Sequence, residues 1–314
     1  MVSNWSIVFI CFSLVLSVLV PIGIVMVLLI KKKISFKPLL AGILTWIVFT
    51  QVLERIFHFY MLNNTSVQAV PIIFAIYVAL TAGVFEEVGR YYSFRLILRK
   101  NRAWKDGLAF GLGHGGMEAL LIGGLAGLNN LILSIMINNG MYETLIKATP
   151  SIADSGVKEF FLSTAPSLFA VSGFERIFAI ILHIGMTFLV LYGIRQKKSI
   201  YLLYAILAHA AFDFVAALYQ VEIIKSLVLT EAIIGLSAVV IIYFIIKTKN
   251  RFADPNIVEA ITDEKVGDDV IGNNVTEEGT IEEIVSENGK LDDSISEKQV
   301  RLEDNFEKKI KPLK

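Results

Sequence analysis

Long apolar runs cover most of the first 250 positions, and short groups of charged residues separate them. A run of about 20 apolar residues is long enough to cross the hydrocarbon core of a bilayer as an α-helix. The pattern predicts such helices at positions 5–30, 39–62, 70–94, 104–127, 174–194, 200–219 and 226–246. The predicted fold class is therefore all-α, a polytopic transmembrane helix bundle with seven spans.

The segment 128–173 fits this series less clearly. Its apolar part, 131–137, is too short to span a bilayer, and a polar stretch at 147–158 follows it. We expect a piece that re-enters the bilayer, followed by an external loop or an amphipathic helix. If the segment crossed the bilayer instead, the bundle would have eight spans and the later spans would be inverted.

The composition agrees with a membrane protein. Hydrophobic residues make up 55% of the 314 positions, and the mean hydropathy is +0.64. These values exclude an ordinary soluble domain, and we expect no nucleic-acid partner. The first apolar run has no basic segment before it and ends at three lysines, so it predicts a retained span rather than a cleaved signal peptide.

Charge divides the chain into two parts. Residues 1–251 carry 21 basic and 12 acidic side chains, whereas residues 252–314 carry 8 basic and 17 acidic ones. Basic residues of the first part collect in alternate loops, which predicts a plasma-membrane bundle with its N-terminus outside and its C-terminus in the cytosol. The second part predicts a disordered acidic cytosolic tail, which either binds a basic partner or solvates the end of the chain.

Ionisable residues interrupt four of the apolar spans. Such groups are unfavourable by several kcal/mol at membrane depth unless they are paired or hydrated, so they normally mark functional sites. At a rise of about 1.5 Å per residue, one group on each span lies roughly 13 to 18 Å from the nearest cytosolic basic residue. The predicted layer contains Glu86 with Glu87 and Arg90, His114 with Glu118, His183, and His209 with Asp213.

Helical spacing groups these residues further. Glu86 and Arg90, His114 and Glu118, and His209 and Asp213 are each four positions apart and share a helix face. A carboxylate at this spacing can accept a proton from one histidine nitrogen and so determine the tautomer. Arg90 can hold one glutamate ionised, which leaves the other as a general base. Each pair taken alone also fits an ordinary polar contact between helices.

Two features nearby have alternative interpretations. His58, with Glu54 and Arg55, is interpreted as the interfacial end of the second span. Glu175 and Arg176 begin the fifth span and form either a surface ion pair or part of the site. Several glycines surround His114, which predicts a close approach of neighbouring helices: Gly111, Gly113, Gly115 and Gly116.

The order of these motifs resembles a known superfamily. Glu-Glu-x-x-Arg at 86–90, Phe-x-x-x-His at 110–114 and His-x-x-x-Asp at 209–213 are similar to motifs of CAAX prenyl endopeptidases and of related bacteriocin-processing and PrsW-type intramembrane proteases. Gly-His-Gly-Gly-x-Glu at 113–118, and Phe-Glu-Arg at 174–176 followed by His183, resemble its YhfC branch more closely. The resemblance covers roughly residues 1–250 and leaves the tail out.

The resemblance implies an intramembrane endopeptidase in which Glu86 and His114 activate a water molecule, with Glu87 and Arg90 in support. His209 and Asp213 would stabilise the oxyanion of the tetrahedral intermediate. The chain departs from the CAAX proteases in two ways, because its arginine follows the glutamates after two residues instead of three and Asp213 replaces an asparagine. An ionised aspartate is a poor oxyanion donor, so Asp213 is expected to orient His209 or to be protonated.

The reaction type leaves alternatives open. His114, His183 and His209 could hold zinc with a glutamate as the base, but the absence of a His-Glu-x-x-His motif favours the metal-free version. The expected substrate is a membrane-embedded peptide or protein, and the site is expected to open to the cytosol. A proton- or cation-coupled transporter with a Glu/His/Asp relay is the alternative function, although no inverted repeat is visible. A catalytically inactive scaffold for membrane peptides is a third.

Overall fold

The described part of the chain consists of helices and short connections. The computed structural model describes residues 1–148 and 156–252, and contains no β-strand within these ranges. Its long apolar helices are α1 (Asn4–Ile30), α2 (Phe36–Asn64), α3 (Pro71–Ile97), α4 (Trp104–Asn138), α7 (Pro166–Arg195), α8 (Ile200–Gln220) and α9 (Leu227–Phe252). Two short helices, α5 (Met141–Ala148) and α6 (Val157–Ser163), lie between α4 and α7. The prediction of a seven-span helical bundle is confirmed.

The apolar stretch at 131–137 continues α4, which runs for 35 residues to Asn138. The side chain of Asn138 accepts a hydrogen bond from the Val2 amide at 2.6 Å and donates one to the Val2 carbonyl at 3.0 Å. Ile137 and Ile10 belong to one buried cluster, so α1 covers the extension. The apolar stretch 131–137 is therefore part of the helix of the fourth span rather than a separate segment. Residues 149–155 lie outside the described residues.

Two helix pairs approach each other closely through glycine. A Cβ atom at Gly42 of α2 would lie 2.2 Å from the carbonyl oxygen of Phe110, and one at Gly113 of α4 would lie 2.1 Å from the carbonyl oxygen of Leu39. At Gly83 of α3, a Cβ atom would lie 2.8 Å from a carbonyl oxygen of α8. Helices α2 and α4, and likewise α3 and α8, thus pack backbone against backbone.

Aromatic side chains close the bundle at the end with the basic loops. Phe94, Phe110 and Phe188, here called the aromatic plug, are fully buried. The rings of Phe94 and Phe110 are 4.8 Å apart, and Trp104 stacks on Phe188 at 5.2 Å. Phe252 contacts Phe188 and is 5% exposed, so this first residue of the predicted tail packs with the bundle. The rest of that tail, 253–314, lies outside the described residues.

The contact at Gly113 leads to a test of the packing. Gly113→Ala should lower the free energy of unfolding by about 1–3 kcal/mol, because the added methyl group must displace backbone of α2. Gly116→Ala is the matched control, since its Cβ atom would meet nothing nearer than 3.9 Å. Helix propensity alone favours alanine at both positions by up to about 1 kcal/mol. Equal stability of the two variants in detergent unfolding experiments would contradict the close approach of α2 and α4.

Candidate functional site

Ionisable side chains of α3, α4, α7 and α8 form one buried cluster around Glu86. His114 Nε2 lies 2.8 Å from Glu86 Oε2, His183 Nδ1 lies 3.6 Å from the same oxygen, and His209 Nε2 lies 3.9 Å from it. The ring of His183 is 4.8 Å from that of His114 and 5.3 Å from that of His209. All four side chains are buried. The predicted layer is thus one site, with the Glu86 carboxylate at its centre.

Carboxylates hold two of the histidines from the side that faces away from Glu86. His183 Nε2 contacts Glu118 Oε2 at 2.5 Å, and His209 Nδ1 contacts Glu87 Oε1 at 2.7 Å. Since a carboxylate accepts from a ring N–H, the hydrogen-bond network assigns the proton to these outer nitrogens. The inner nitrogens, His183 Nδ1 and His209 Nε2, then present lone pairs to the space beside Glu86.

Arg90 connects α3 to α7 at the base of the cluster. Its Nη1 donates to the carbonyl oxygen of His183 at 2.7 Å and to Thr187 Oγ1 at 2.5 Å. Its Nε forms an ion pair with Glu87 Oε2 at 3.0 Å, and its guanidinium lies 5.9 Å from the centre of the Phe110 ring. The guanidinium is fully buried, so these groups replace the water that an exposed arginine would bind.

Other partners replace two of the three predicted same-face pairs. Arg90 pairs with Glu87 rather than Glu86. Glu118 pairs with His183 and, at 2.9 Å, with Arg176 Nη1, rather than with His114. Glu87 precedes Arg90 by three positions on the same helix and is the glutamate that Arg90 contacts, whereas the pairing of His114 with Glu118 was wrong because α7 supplies nearer partners for Glu118. Only the third predicted pair occurs in this part of the structure, with Asp213 Oδ2 3.3 Å from His209 Nε2.

Arg176 belongs to the buried cluster, because it joins Glu118 to Glu175. This contact favours the second interpretation of the pair at the start of the fifth span. Thr187 is a site residue that the sequence analysis missed. It lies four positions after His183 and donates to the His183 carbonyl at 2.6 Å, so a search for hydroxyls at helical spacing from each histidine would have found it.

Glu86, His183 and His209 are suited to hold a metal ion. Their ligand atoms lie within 4.8 Å of one another in the described part of the chain. Two imidazole lone pairs and a carboxylate are a common donor set of catalytic zinc sites, and a carboxylate behind each imidazole is typical of them. A nearby cation is Arg90, whose Nη2 lies 3.3 Å from His183 Nδ1. The donor types fit a divalent ion, but arginine only donates, so an ion bound by His183 Nδ1 requires Arg90 Nη2 to move away from this nitrogen.

This group differs from the three-histidine set expected from the sequence. His114 is absent from it, since its Nε2 contacts Glu86 instead and its buried Nδ1 has no hydrogen-bond partner in the described residues. A His-Glu-x-x-His motif places two histidine ligands on one helix. Here the three ligand atoms come from α3, α7 and α8, so the absence of that motif says nothing against a metal.

A polar cavity of about 580 Å³ begins at the cluster. Its wall includes Glu86, His183 and His209 at one end, and side chains of the opposite end of the bundle: Thr50, Gln51, Glu54, Glu175 and Gln220. On α7 and α8, Glu175 and Gln220 lie further from the basic loops than His183 and His209 do. The cavity therefore leads away from the basic loops.

The sequence predicts a site that opens at the basic loops, which the positive-inside rule assigns to the cytosol, whereas the cavity runs from the cluster towards the other end of the bundle. In the other direction the site meets the aromatic plug, because the Phe110 ring stacks beside His114 with 6.1 Å between centroids. Distance from the basic residues indicated the depth of the site correctly but gave no information about which side was packed.

A second polar group lies on the wall of the same cavity. His58 Nδ1 is 2.7 Å from the Tyr77 hydroxyl, and His58 Nε2 is 3.3 Å from Glu54 Oε1. The Glu54 side chain is buried. The sequence analysis interprets His58 and Glu54 as a helix end at the interface, whereas the structure makes them part of the cavity wall.

The fold and the site together define a polytopic helical membrane protein with a buried glutamate–histidine centre. The model of one family, described as "YhfC intramembrane metalloprotease", matches residues 16–234. The chain belongs to this YhfC family. It is 39% identical over 257 residues to "Uncharacterized membrane protein YhfC" of Bacillus subtilis (strain 168), a match that covers 80% of this chain and all of that protein. No solved structure matches the chain.

The buried ion pair of Arg90 can be tested by a double-mutant cycle. Arg90→Met should lower the free energy of unfolding by about 3–5 kcal/mol, because it leaves the Glu87 charge buried without its cation. Glu87→Gln in the same chain should recover part of this loss. Arg99→Met, at an exposed position, should change little. Unfolding in detergent is measured for wild type, Arg90→Met, Glu87→Gln, the double variant and Arg99→Met, and a double variant no more stable than Arg90→Met would contradict the pairing.

The direction of the cavity can be tested by thiol labelling in intact cells. The background is Cys11→Ser, since Cys11 is the sole cysteine of the chain. Gln220→Cys, at the mouth, and Gln51→Cys, further inside, should react with a membrane-impermeant maleimide added outside. Lys100→Cys, in a basic loop, should react only after permeabilisation. The reverse pattern would place the basic loops outside.

Proposed function

We propose that the protein is a metal-dependent intramembrane endopeptidase that hydrolyses a peptide bond of a membrane-embedded peptide or protein. The observation that carries this is the convergence of Glu86, His183 Nδ1 and His209 Nε2 within 4.8 Å at the closed end of a polar cavity. A peptidase site needs polarising groups and a carboxylate for proton transfer beside a space that water can enter, and the cavity wall supplies these groups. The description of the family supports the same reaction class.

Glu86, His183 and His209 would hold the metal, here zinc. The ion would supply a Lewis acid that activates water and polarises the scissile carbonyl. Glu118 and Glu87 keep the two rings in the tautomers that direct a lone pair towards the site. His114 donates to Glu86 Oε2 and orients its carboxylate.

Asp213 is the carboxylate that we assign to proton transfer. It lies on the cavity side of His209, and its side chain is 33% exposed, whereas Glu87 and Glu118 are engaged with the histidines. A carboxylate beside the open volume can accept a proton from water and deliver it to the leaving amine. In a metal-free version Glu86 would take this proton and Asp213 would only orient His209. Proton transfer by Asp213 is therefore required only in the metal-dependent version.

The substrate is proposed to reach the site from the cavity mouth. With the N-terminus outside and the chain in the plasma membrane, as the basic loops favour, this mouth lies on the extracytosolic side. The aromatic plug excludes water from the other direction. A transporter exposes its site to one side at a time, so a one-sided cavity fits both functions, and the description of the family is what favours the peptidase.

Activity and metal content of the purified protein test the proposal together. We expect wild type to cleave members of a set of transmembrane peptides, detected by mass spectrometry, and to contain one divalent ion per chain. Glu86→Gln and His183→Ala should lose both the ion and the activity, the latter by about 10³-fold. Asp213→Asn should keep the ion and lose activity.

His58→Ala is the matched control, because it removes a histidine from the same cavity wall but outside the proposed ligands. It should retain the metal and at least a third of the activity. Activity without bound metal that is lost in Glu86→Gln would support the metal-free glutamic version instead. Cleavage that survives Glu86→Gln, His183→Ala and Asp213→Asn would rule out this site.

A further inference from the structure

A second cavity, of about 400 Å³, lies at the end of the bundle with the basic loops. The end of α3, the connection to α4 and the connection between α7 and α8 form its wall. Four of its side chains are basic, and they share the wall with a phenol and a hydroxyl: Arg95, Arg102, Lys197, Lys198, Tyr91 and Ser199. We refer to it as the basic pocket. The polar cavity at Glu86 is lined by different residues.

Contacts with the protein hold two of the basic side chains in place. Arg95 Nη1 donates to the Tyr91 hydroxyl, and the guanidinium lies 5.6 Å from the centre of the Tyr91 ring. Arg102 Nη2 donates to the carbonyl oxygen of Phe94 at 3.1 Å. Side chains held in this way lose less conformational freedom when they bind a ligand. The pocket is therefore partly organised for a ligand before one arrives.

Lys197 takes a backbone conformation that usually belongs to glycine. Its φ is 55°, at the end of α7, where Lys198 N donates to the Gly193 carbonyl at 2.9 Å and Lys197 N donates to the Ile194 carbonyl at 3.2 Å. This pattern is a helix C-terminal motif in which the left-handed position is most often glycine. The chain instead has a lysine there, and its side chain forms part of the pocket wall.

The positive charge of the pocket is not compensated within the described protein. Among residues 1–148 and 156–252, no carboxylate forms an ion pair with Arg95, Arg102, Lys197 or Lys198. No acidic side chain lines the pocket either. Four like charges around one cavity repel each other, and an anion in the cavity would relieve this repulsion.

The surroundings of the pocket are apolar and exposed. Leu96 and Ile97, directly after Arg95, are 54% and 59% exposed. Helix α8 begins directly after Ser199, and three of its apolar side chains are about half exposed as well: Leu203, Tyr204 and Leu207. In a membrane-spanning bundle such surfaces contact lipid tails. A ligand with an anionic head and an apolar tail therefore matches both the pocket and its flanks.

We propose that the basic pocket binds the head group of an anionic phospholipid, with the phosphate between the basic side chains and an acyl chain along the exposed surface of α3 or α8. The basic loops place the pocket at the level of the lipid head groups, where each basic residue strengthens binding to anionic lipid. The proposal does not depend on the peptidase function, because none of these side chains belongs to the site around Glu86.

Native mass spectrometry of the full-length protein in detergent tests this binding. The probes are dioleoyl phosphatidylglycerol, dioleoyl phosphatidylcholine and inorganic phosphate. Wild type should retain phosphatidylglycerol and not phosphatidylcholine. Arg95→Gln with Lys197→Gln should weaken the binding of phosphatidylglycerol by about fivefold for each charge removed.

Arg99→Gln with Lys100→Gln is the matched control, because it removes two exposed charges from the neighbouring loop, outside the pocket wall. It should retain phosphatidylglycerol like wild type. If the double pocket variant does not fold, as judged by thermal unfolding, Lys198→Gln alone should still show the fivefold loss. Equal losses in the pocket and control variants, or equal retention of phosphatidylcholine, would overturn the proposal. Displacement of the lipid by an equal concentration of inorganic phosphate would overturn its assignment to a lipid.

Discussion

The ion pair between Arg90 and Glu87 is the interaction on which the site depends. Neither side chain is exposed, and a charge in such surroundings must be compensated within contact distance. The same Glu87 holds His209 of α8, and the same Arg90 binds the backbone of His183 in α7. Three helices thus meet at two side chains. The groups that compensate one buried cation thus also orient the His209 ring and hold the backbone of α7 at His183, whose ring Glu118 orients.

The number and position of the spans could be predicted from the sequence because each span has to be apolar over its own length, whatever its neighbours are. The extension of α4 could not be predicted in this way. Residues 131–137 are too few to span a bilayer, and Ile137 among them is buried in a cluster with apolar side chains of α1, α5, α6 and α7. Sequence periodicity describes one helix at a time, so a segment stabilised by a distant part of the chain is misjudged.

The candidate site likewise has features that could be predicted from the sequence and features that could not. The common depth of Glu86, His114, His183 and His209 follows from counting residues along each helix, and they do meet in space. Their partners could not be predicted by counting residues, because the rotation of each helix about its axis decides which side chains of α7 lie against Glu118. Likewise, depth says nothing about which end is packed. That depends on Phe94, Phe110 and Phe188, which come from three different helices.

The closed end of the cavity also determines where the membrane voltage falls. A water-filled cavity conducts ions far better than packed side chains, so the electric field concentrates across the thin apolar layer formed by the aromatic plug. Glu86 and the histidines, at the bottom of the cavity, are then close to the electrical potential of the compartment at its mouth. A charged group that reaches them crosses little of the field, so the site is electrically part of that compartment although it lies deep among the helices.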